Sequence, residues 1–331
     1  MGRRKIESTK NNTGFVNVNR LTNYREKGVV VEGSNAKAWF NVNGVRFLYK
    51  EYDDVLPCFG EVLYYRAAKM CDIDCAEYDF ATLNGKFGTI SYDFLRENEA
   101  YYNCLELTTQ FGESSFDLEN IATNHELLII QNNKYNNLNS IRSLLGRLFH
   151  ASSEQKRDIE INLIKMYVLD TLFWHLDRTL WNYGVIINEE TDEVRFAPIH
   201  DNSYVLSLNK GEKFIEEAIV EFINGGVMRT ERSASSFNLM FDGDNSIDQL
   251  ISFYENCDEK MRKEITDIID KMDVDTLVKS TMEDCQIGDV PALWVKAILN
   301  FRKKTILRGL ESVRISDEGA QLPNITFSRR K

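Results

Sequence analysis

The segment His175-Leu176-Asp177-Arg178-Thr179-Leu180-Trp181-Asn182, followed by Ala197-Pro198-Ile199-His200-Asp201, decides how this chain is read. It sets an Asp and an Asn five positions apart, with a second Asp about two dozen residues later. Phosphoryl transfer calls for these residue types. A carboxylate beside an attacking hydroxyl orients it and accepts its proton. An Asn and a second Asp offer hard oxygen ligands for the magnesium that bridges nucleotide phosphates. Alone, DxxxxN is equally a helix-end and turn sequence, because Asp and Asn favour caps and turns. From these residues by themselves both readings are open.

The flanking sequence separates them. Residues 155–174 carry Ile161, Ile164, Val168, Leu169 and Leu172 at helical spacing. Residues 183–188 read as a strand, 189–192 as a turn, and 194–199 as a second strand. Asp177 and Asn182 then fall on a loop after a long helix, and Asp201 follows a hairpin. That is the layout of a kinase C-lobe.

The N-terminal half supplies the complementary parts. Residues 29–40 read as strand, short polar turn and strand. Gly44 marks a second turn, and residues 45–51 form a strand with Lys50 near its end. After a loop holding Pro57 and Gly60, a helix is expected over 61–70, opened by Glu61. A strand lysine held by a helix glutamate positions the α- and β-phosphates in kinases. Read singly, Lys50 is a solvated strand-end lysine and Glu61 a first-turn glutamate favoured by the helix dipole. Their order relative to Asp177 and Asn182 favours the functional assignment. Gly33, Ser34 and Lys37 lie where a phosphate-covering loop belongs. No GxGxxG is present, so an ordinary hairpin turn explains this stretch equally well.

These segments together resemble the HipA-like serine/threonine kinases, including the short stand-alone members similar to CtkA. The likeness rests on Gly33 to Lys37, Phe47 to Lys50, Gly60 to Arg66, Gly88 to Ser91, Asp177-Arg178 to Asn182, and Ala197 to Asp201, and spans roughly residues 28–205. It implies an α+β, two-lobed protein-kinase-like fold with a strand-rich N-lobe and a mainly helical C-lobe. It implies transfer of the ATP γ-phosphate to Ser or Thr with magnesium. Lys50 would contact phosphates, Glu61 would hold Lys50, Asp177 would be the base, and Asn182 and Asp201 the metal ligands. The family pattern is DRHxxN or DxHxxN, and Thr179 stands here in place of the histidine. His175 either takes over that role beside the nucleotide or is a packed loop histidine.

Composition agrees with a globular enzyme. The 331 residues are 43% hydrophobic and 27% charged. No run approaches a membrane span, and residues 1–5 lack the apolar core of a secretory signal. The formal charge of −11 disfavours direct nucleic-acid binding. Six cysteines without a CxxC pair suggest reduced thiols, no zinc and a cytoplasmic location.

The expected organisation is a flexible tail over 1–12, an N-lobe over 13–104, a C-lobe over 105–315 and a polar tail over 316–331. Residues 79–83 and 86–91 around Asn84-Gly85 form a hairpin, and the hinge is expected at 105–108. The asparagine-rich 131–140 reads as a solvated loop. Helices are expected over 141–150, 216–222, 246–272, 274–285 and 290–313. Gly225-Gly226 and residues 233–236 suggest mobility. On the last helix Leu293, Val295, Ile298, Leu299, Phe301, Ile306 and Leu310 are candidates for its buried side.

Three function classes follow. The first is a Ser/Thr kinase acting on a protein or on itself. The second is a nucleotide-binding pseudokinase, motivated by Thr179. The third is a lipid or small-molecule kinase, since DRxxxN also occurs in phosphoinositide kinases. HipA-like kinases often pair with a DNA-binding antitoxin, which would here be a separate protein.

Overall fold

The computed structural model describes residues 2–11, 14–27, 35–111, 125–148, 151–224 and 237–321. Two hairpins build the N-terminal lobe. β2 (Lys37–Val42) and β3 (Val45–Tyr52) turn at Asn43-Gly44, and β4 (Tyr78–Leu83) and β5 (Lys86–Tyr92) turn at Asn84-Gly85. All four turn residues have positive φ, which Asn and Gly tolerate best. With β1 (Val16–Asn17) they form one sheet in the order β1-β4-β5-β3-β2. Its register sets Lys50 opposite Lys37 on β2 and Thr89 on β5.

Helix α2 (Val55–Met70) packs on this sheet. It starts six residues before the expected Glu61, because Asp54 caps it, accepting from the Leu56 N–H at 3.2 Å. Pro57 sits in the first turn, where its missing N–H costs nothing. Glu61 is therefore a mid-helix residue, fully buried, and not a first-turn glutamate. The N-terminal residues are not all loose either. Gly2–Glu7 form helix α1, with Ile6 buried under the sheet.

From β5 the chain crosses residues 93–98 into β6 (Glu99–Asn103) and α3 (Cys104–Phe111). The expected hinge at 105–108 instead lies within α3, where Leu105, Leu107 and Thr108 are buried. α4 (His125–Tyr135), α5 (Leu138–Arg147) and the long α6 (Ser153–Leu172) follow, α6 opening with a Ser152/Gln155 capping box. The asparagine-rich stretch is not a solvated loop. It closes α4 and opens α5, with Asn132, Asn136 and Asn137 buried.

β7 (Gly184–Asn188) and β8 (Val194–Phe196) join β6 in a three-stranded sheet, order β6-β7-β8. The remaining helices are α7 (Glu212–Ile223), α8 (Ser246–Asn256), α9 (Glu259–Lys271), α10 (Val274–Asp284) and α11 (Asp289–Gln321). The single helix expected over 246–272 is broken at Cys257-Asp258, because Asp258 caps a new start by accepting from the Met261 N–H at 2.9 Å. α11 buries Val295, Ile298, Leu299, Ile306 and Leu310 as expected, but Leu293 and Phe301 face solvent. It also continues past residue 315 to Gln321, so the expected tail begins as helix. Residues 225–236 lie outside the described residues.

One large apolar core runs from α2 through the C-terminal helices, and a smaller one lies beneath α1, β2, β3 and β5. The lobes also meet away from the hinge. Cys75 and Ile199 form a parallel bridge, with Ala76 N–H to Ile199 O at 2.9 Å and Ile199 N–H to Asp74 O at 3.1 Å. Among the described residues no helix is long and apolar enough to cross a membrane.

Candidate active site

Lys50 leaves β3 toward α2 and reaches across to the segment after β8. Its Nζ lies 3.3 Å from Glu61 Oε1, 2.5 Å from Asp201 Oδ1 and 3.4 Å from Ser203 Oγ. Glu61 takes a second bond, 2.6 Å from the Thr89 hydroxyl on β5. Burial alone would lower the Lys50 pKa, but Asp201 and Glu61 outweigh it and raise it. Burial likewise pushes Asp201 up, and the Lys50 and Lys37 charges overcome this and hold it well below the usual carboxylate range. Asp201 therefore stays ionised. Lys37 is depressed, chiefly by burial.

Lys37, Lys50, Glu61 and Asp201 line one cavity of about 240 Å³. Its other walls are mostly apolar. Trp39 and Leu48 come from the sheet, Phe94 and Leu95 from the 93–98 crossing, and Tyr101 and His200 from the C-terminal lobe. At the crossing, the Asp93 N–H donates to Arg46 O at 3.0 Å, and the Leu95 N–H to Asp93 Oδ1 at 3.1 Å. Arg46 is itself paired with Glu26 and Asp93 and stacks on Trp39.

Asp177 and Asn182 stand on the loop after α6. Asn182 Nδ2 donates to the Asp177 carbonyl at 2.6 Å, leaving its amide oxygen as the candidate ligand atom. The Asp177 carboxyl is raised to about 6, by burial first and then by the nearby Asp201 charge. A carboxylate poised there suits proton acceptance near neutrality.

His175 is buried between the two loops, and the cavity lining does not include it. Its Nδ1 accepts from the Asp177 N–H at 3.2 Å, which leaves Nε2–H to donate to the Asp201 carbonyl at 3.3 Å. Burial lowers its pKa to about 4, so it is neutral. It joins the two loops through these bonds.

The residues that sequence reasoning missed are those that fix the loop. Arg178 is fully buried and commits all five of its N–H donors. Nε and one Nη2 donor bind Asp170 at 2.8 and 2.9 Å, and the other Nη2 donor binds Asn202 Oδ1 at 2.8 Å. Nη1 holds the Asn182 carbonyl at 3.1 Å and the His200 carbonyl at 2.8 Å. Asp170 also accepts from Tyr64 of α2 at 2.8 Å. On the far side Asn132 takes the Leu180 N–H at 2.9 Å, and Asn136 donates to Arg178 O at 2.7 Å. The signal for Asp170 was present in the sequence: a lone acid inside the apolar run from Tyr167 to Phe173. Strain gathers here too, since Trp174, Asp201, Leu206 and Ser207 all have positive φ.

The donor set suits magnesium. Among the described residues no group of three or more His, Cys, Asp or Glu side chains could hold a metal. One carboxylate and one amide oxygen, completed by phosphates and water, is how magnesium is commonly held. Gly33 and Ser34 lie outside the described residues.

No protein-family model matches the chain, and no curated protein matches its sequence. Its structure is similar to that of the Helicobacter pylori proinflammatory kinase CtkA, with a TM-score of 0.65 and 16% identity over 85% of this chain and 95% of that one. HipA of Shewanella oneidensis MR-1, solved with HipB and its operator DNA, aligns with a TM-score of 0.43 and 13% identity over 87% of this chain and 67% of that one. The likeness to CtkA is one of architecture, and by it the chain has the two-lobed α+β fold of a CtkA-like kinase.

Proposed function

We propose that this protein is a magnesium-dependent kinase that transfers the γ-phosphate of ATP to a Ser or Thr hydroxyl of a protein, itself included. The observation that carries the reading is the Lys50 ammonium bound to both Glu61 and Asp201 within one cavity. An apolar slot beside that ion set suits a purine base and its phosphates. Lys50 and Lys37 would take the phosphates, and Gly33 and Ser34 remain candidates for phosphate contact from the sequence alone. Residues Tyr92 to Leu95 would flank the base.

Asn182 and Asp201 would hold magnesium, which supplies charge neutralisation for the phosphates when bound. Asp177 would orient the acceptor hydroxyl and take its proton as the new O–P bond forms and the bond to the β–γ bridging oxygen breaks. The pair fits its tasks because its pKa values are pushed apart. Asp201 stays charged as a ligand, and Asp177 titrates near neutrality. In this reading the boundary between the lobes moves from the 104/105 expected from sequence to the 93–98 crossing, since β6 pairs with β7 of the C-terminal sheet, and a separate antitoxin-like protein is a candidate partner.

Intact mass after incubation with ATP and magnesium tests the proposal. Added phosphate on wild type, absent from Asp177→Ala and Asp201→Ala, supports it. No transfer to this chain or to a panel of protein substrates, with retained magnesium-dependent ATP binding, would favour the pseudokinase that Thr179 suggests. No ATP binding would sink both.

A further inference from the structure

α11 holds the candidate active site from behind. Two of its side chains, eight positions apart and so roughly 12 Å along the helix, reach the two backbone segments that carry Asp177 and Asp201. Arg302 is fully buried, and its Nε donates to the Thr171 carbonyl in the last turn of α6 at 2.5 Å. Its Nη2 donates to Ser246 Oγ at 3.0 Å. Trp294, 1% exposed, donates from Nε1 to the Leu206 carbonyl at 2.8 Å.

The two gripped segments are bonded to each other. The Leu206 N–H donates to Phe173 O at 2.9 Å, and the Leu176 N–H donates to Tyr204 O at 3.2 Å. This short ladder runs between the start of the Asp177 loop and the stretch after Asp201. It contains Trp174 and Leu206, whose positive φ needs outside contacts to persist.

Arg302 has no carboxylate partner among the described residues, and its Nη1 has no hydrogen bond. A buried cation of this kind is costly. The nearest compensation is the negative end of the 20-residue α6, whose last-turn carbonyl it binds. Burial lowers its pKa to about 9, so it remains charged at neutral pH. An apolar residue would fill this interior at less cost, which argues that the arginine serves the loop that α6 leads into.

We propose that Arg302 and Trp294 are paired positioning residues, through which α11 fixes the Asp177 loop and the Asp201 segment relative to each other. This rests on the kinase reading only for its effect on turnover.

The test uses the full chain with Arg302→Met, Trp294→Phe, Arg302→Lys and, as a control on exposed α11 surface, Leu293→Ser. Hydrogen exchange is followed in peptides covering 173–182 and 201–208, beside ATP affinity and phosphate transfer. Arg302→Met and Trp294→Phe should each raise exchange in both segments at least tenfold. They should leave ATP affinity within threefold and lower turnover at least tenfold. Arg302→Lys, which keeps a donor for the Thr171 carbonyl, should lose less than threefold, and Leu293→Ser nothing.

Unchanged exchange in both segments of a folded Trp294→Phe protein would overturn the proposal, as would a lowered melting temperature with full turnover. If wild type transfers no phosphate, the kinase reading falls, and the exchange data still decide this one. If Arg302→Met does not fold, Trp294→Phe, which keeps most of the bulk, decides.

Discussion

Replacing Arg178 by Met would remove five hydrogen bonds from the centre of the site and leave the buried Asp170, its side chain 8% exposed, without its counter-charge. Stranding one half of a buried ion pair costs about 3–5 kcal/mol. That is a large share of the ~5–15 kcal/mol that stabilises a typical domain. With a urea dependence of roughly 3 kcal/mol/M, the unfolding midpoint should fall by about 1–1.7 M. Adding Asp170→Leu removes the stranded charge. The loss specific to the double is an acceptor for the Tyr64 hydroxyl, about 1–3 kcal/mol, because the unpaired Asn202 Oδ1 and the Asn182 and His200 carbonyls are common to both variants. The double variant should therefore be more stable than Arg178→Met alone, by roughly 2 kcal/mol. Its phosphate transfer should stay at least ~100-fold down, since the loop that carries Asp177 and Asn182 has lost its anchor. Urea unfolding and initial transfer rates on the two single variants and the double complete the cycle. A double variant no more stable than Arg178→Met would refute the stranded-charge argument. A double variant with restored turnover would refute the positioning argument.

Other outcomes follow from the same geometry. The folded Asp177 carboxyl is raised to about 6 from an ordinary 3.8, so between these values the folded protein holds a proton that the unfolded chain has lost. Stability should fall as pH rises through that window, while transfer, which needs the carboxylate, should rise with a limb near pH 6. Asp177→Asn should flatten the first profile and abolish the second, and melting curves with rate profiles check both. Because His175 titrates near 4, His175→Gln should leave that limb in place. Glu61→Gln keeps the shape but removes one of the two charges on Lys50, and calorimetry should show ATP binding about tenfold weaker, or ~1.4 kcal/mol; unchanged affinity would remove Glu61 from the proposed site. A Cβ on Gly184 would lie 2.0 Å from Tyr102 O and 2.7 Å from Asn103 Cα, both backbone. Gly184→Ala should cost about 1–3 kcal/mol in urea unfolding by parting β6 from β7, and wild-type stability would show that the sheet yields freely.

The sequence carried the site where chemistry demands a residue type and failed where tertiary partners decide. Lys50, Glu61 and Asp201 could be ordered along the chain because a cation and two acids must meet, and they do meet. The hairpin at Asn84-Gly85 was legible because its turn has a local backbone requirement. The asparagines at 132, 136 and 137 were misread, because a polar side chain looks solvated until its buried partner is known, and theirs lie more than 40 residues away or across a tight turn. Arg178 was legible only as a motif letter, since its partner Asp170 lies inside an apolar helix. His175 shows the same limit. Its identity allowed nucleotide contact, and only the position of the Asp201 carbonyl shows that it joins two loops. α2 takes in the loop expected around Pro57 and Gly60, because a proline in the first turn is compatible with helix.

The Cys75–Ile199 bridge has a mechanical consequence. It adds an attachment between the lobes to the 93–98 crossing and to the core that α2 shares with the C-terminal helices. Asp201 stands two residues from Ile199, so the backbone that carries it is tied directly to the N-terminal lobe. Any relative displacement of the lobes is smallest beside that tie, and the contact between Lys50 and Asp201 is shielded from it.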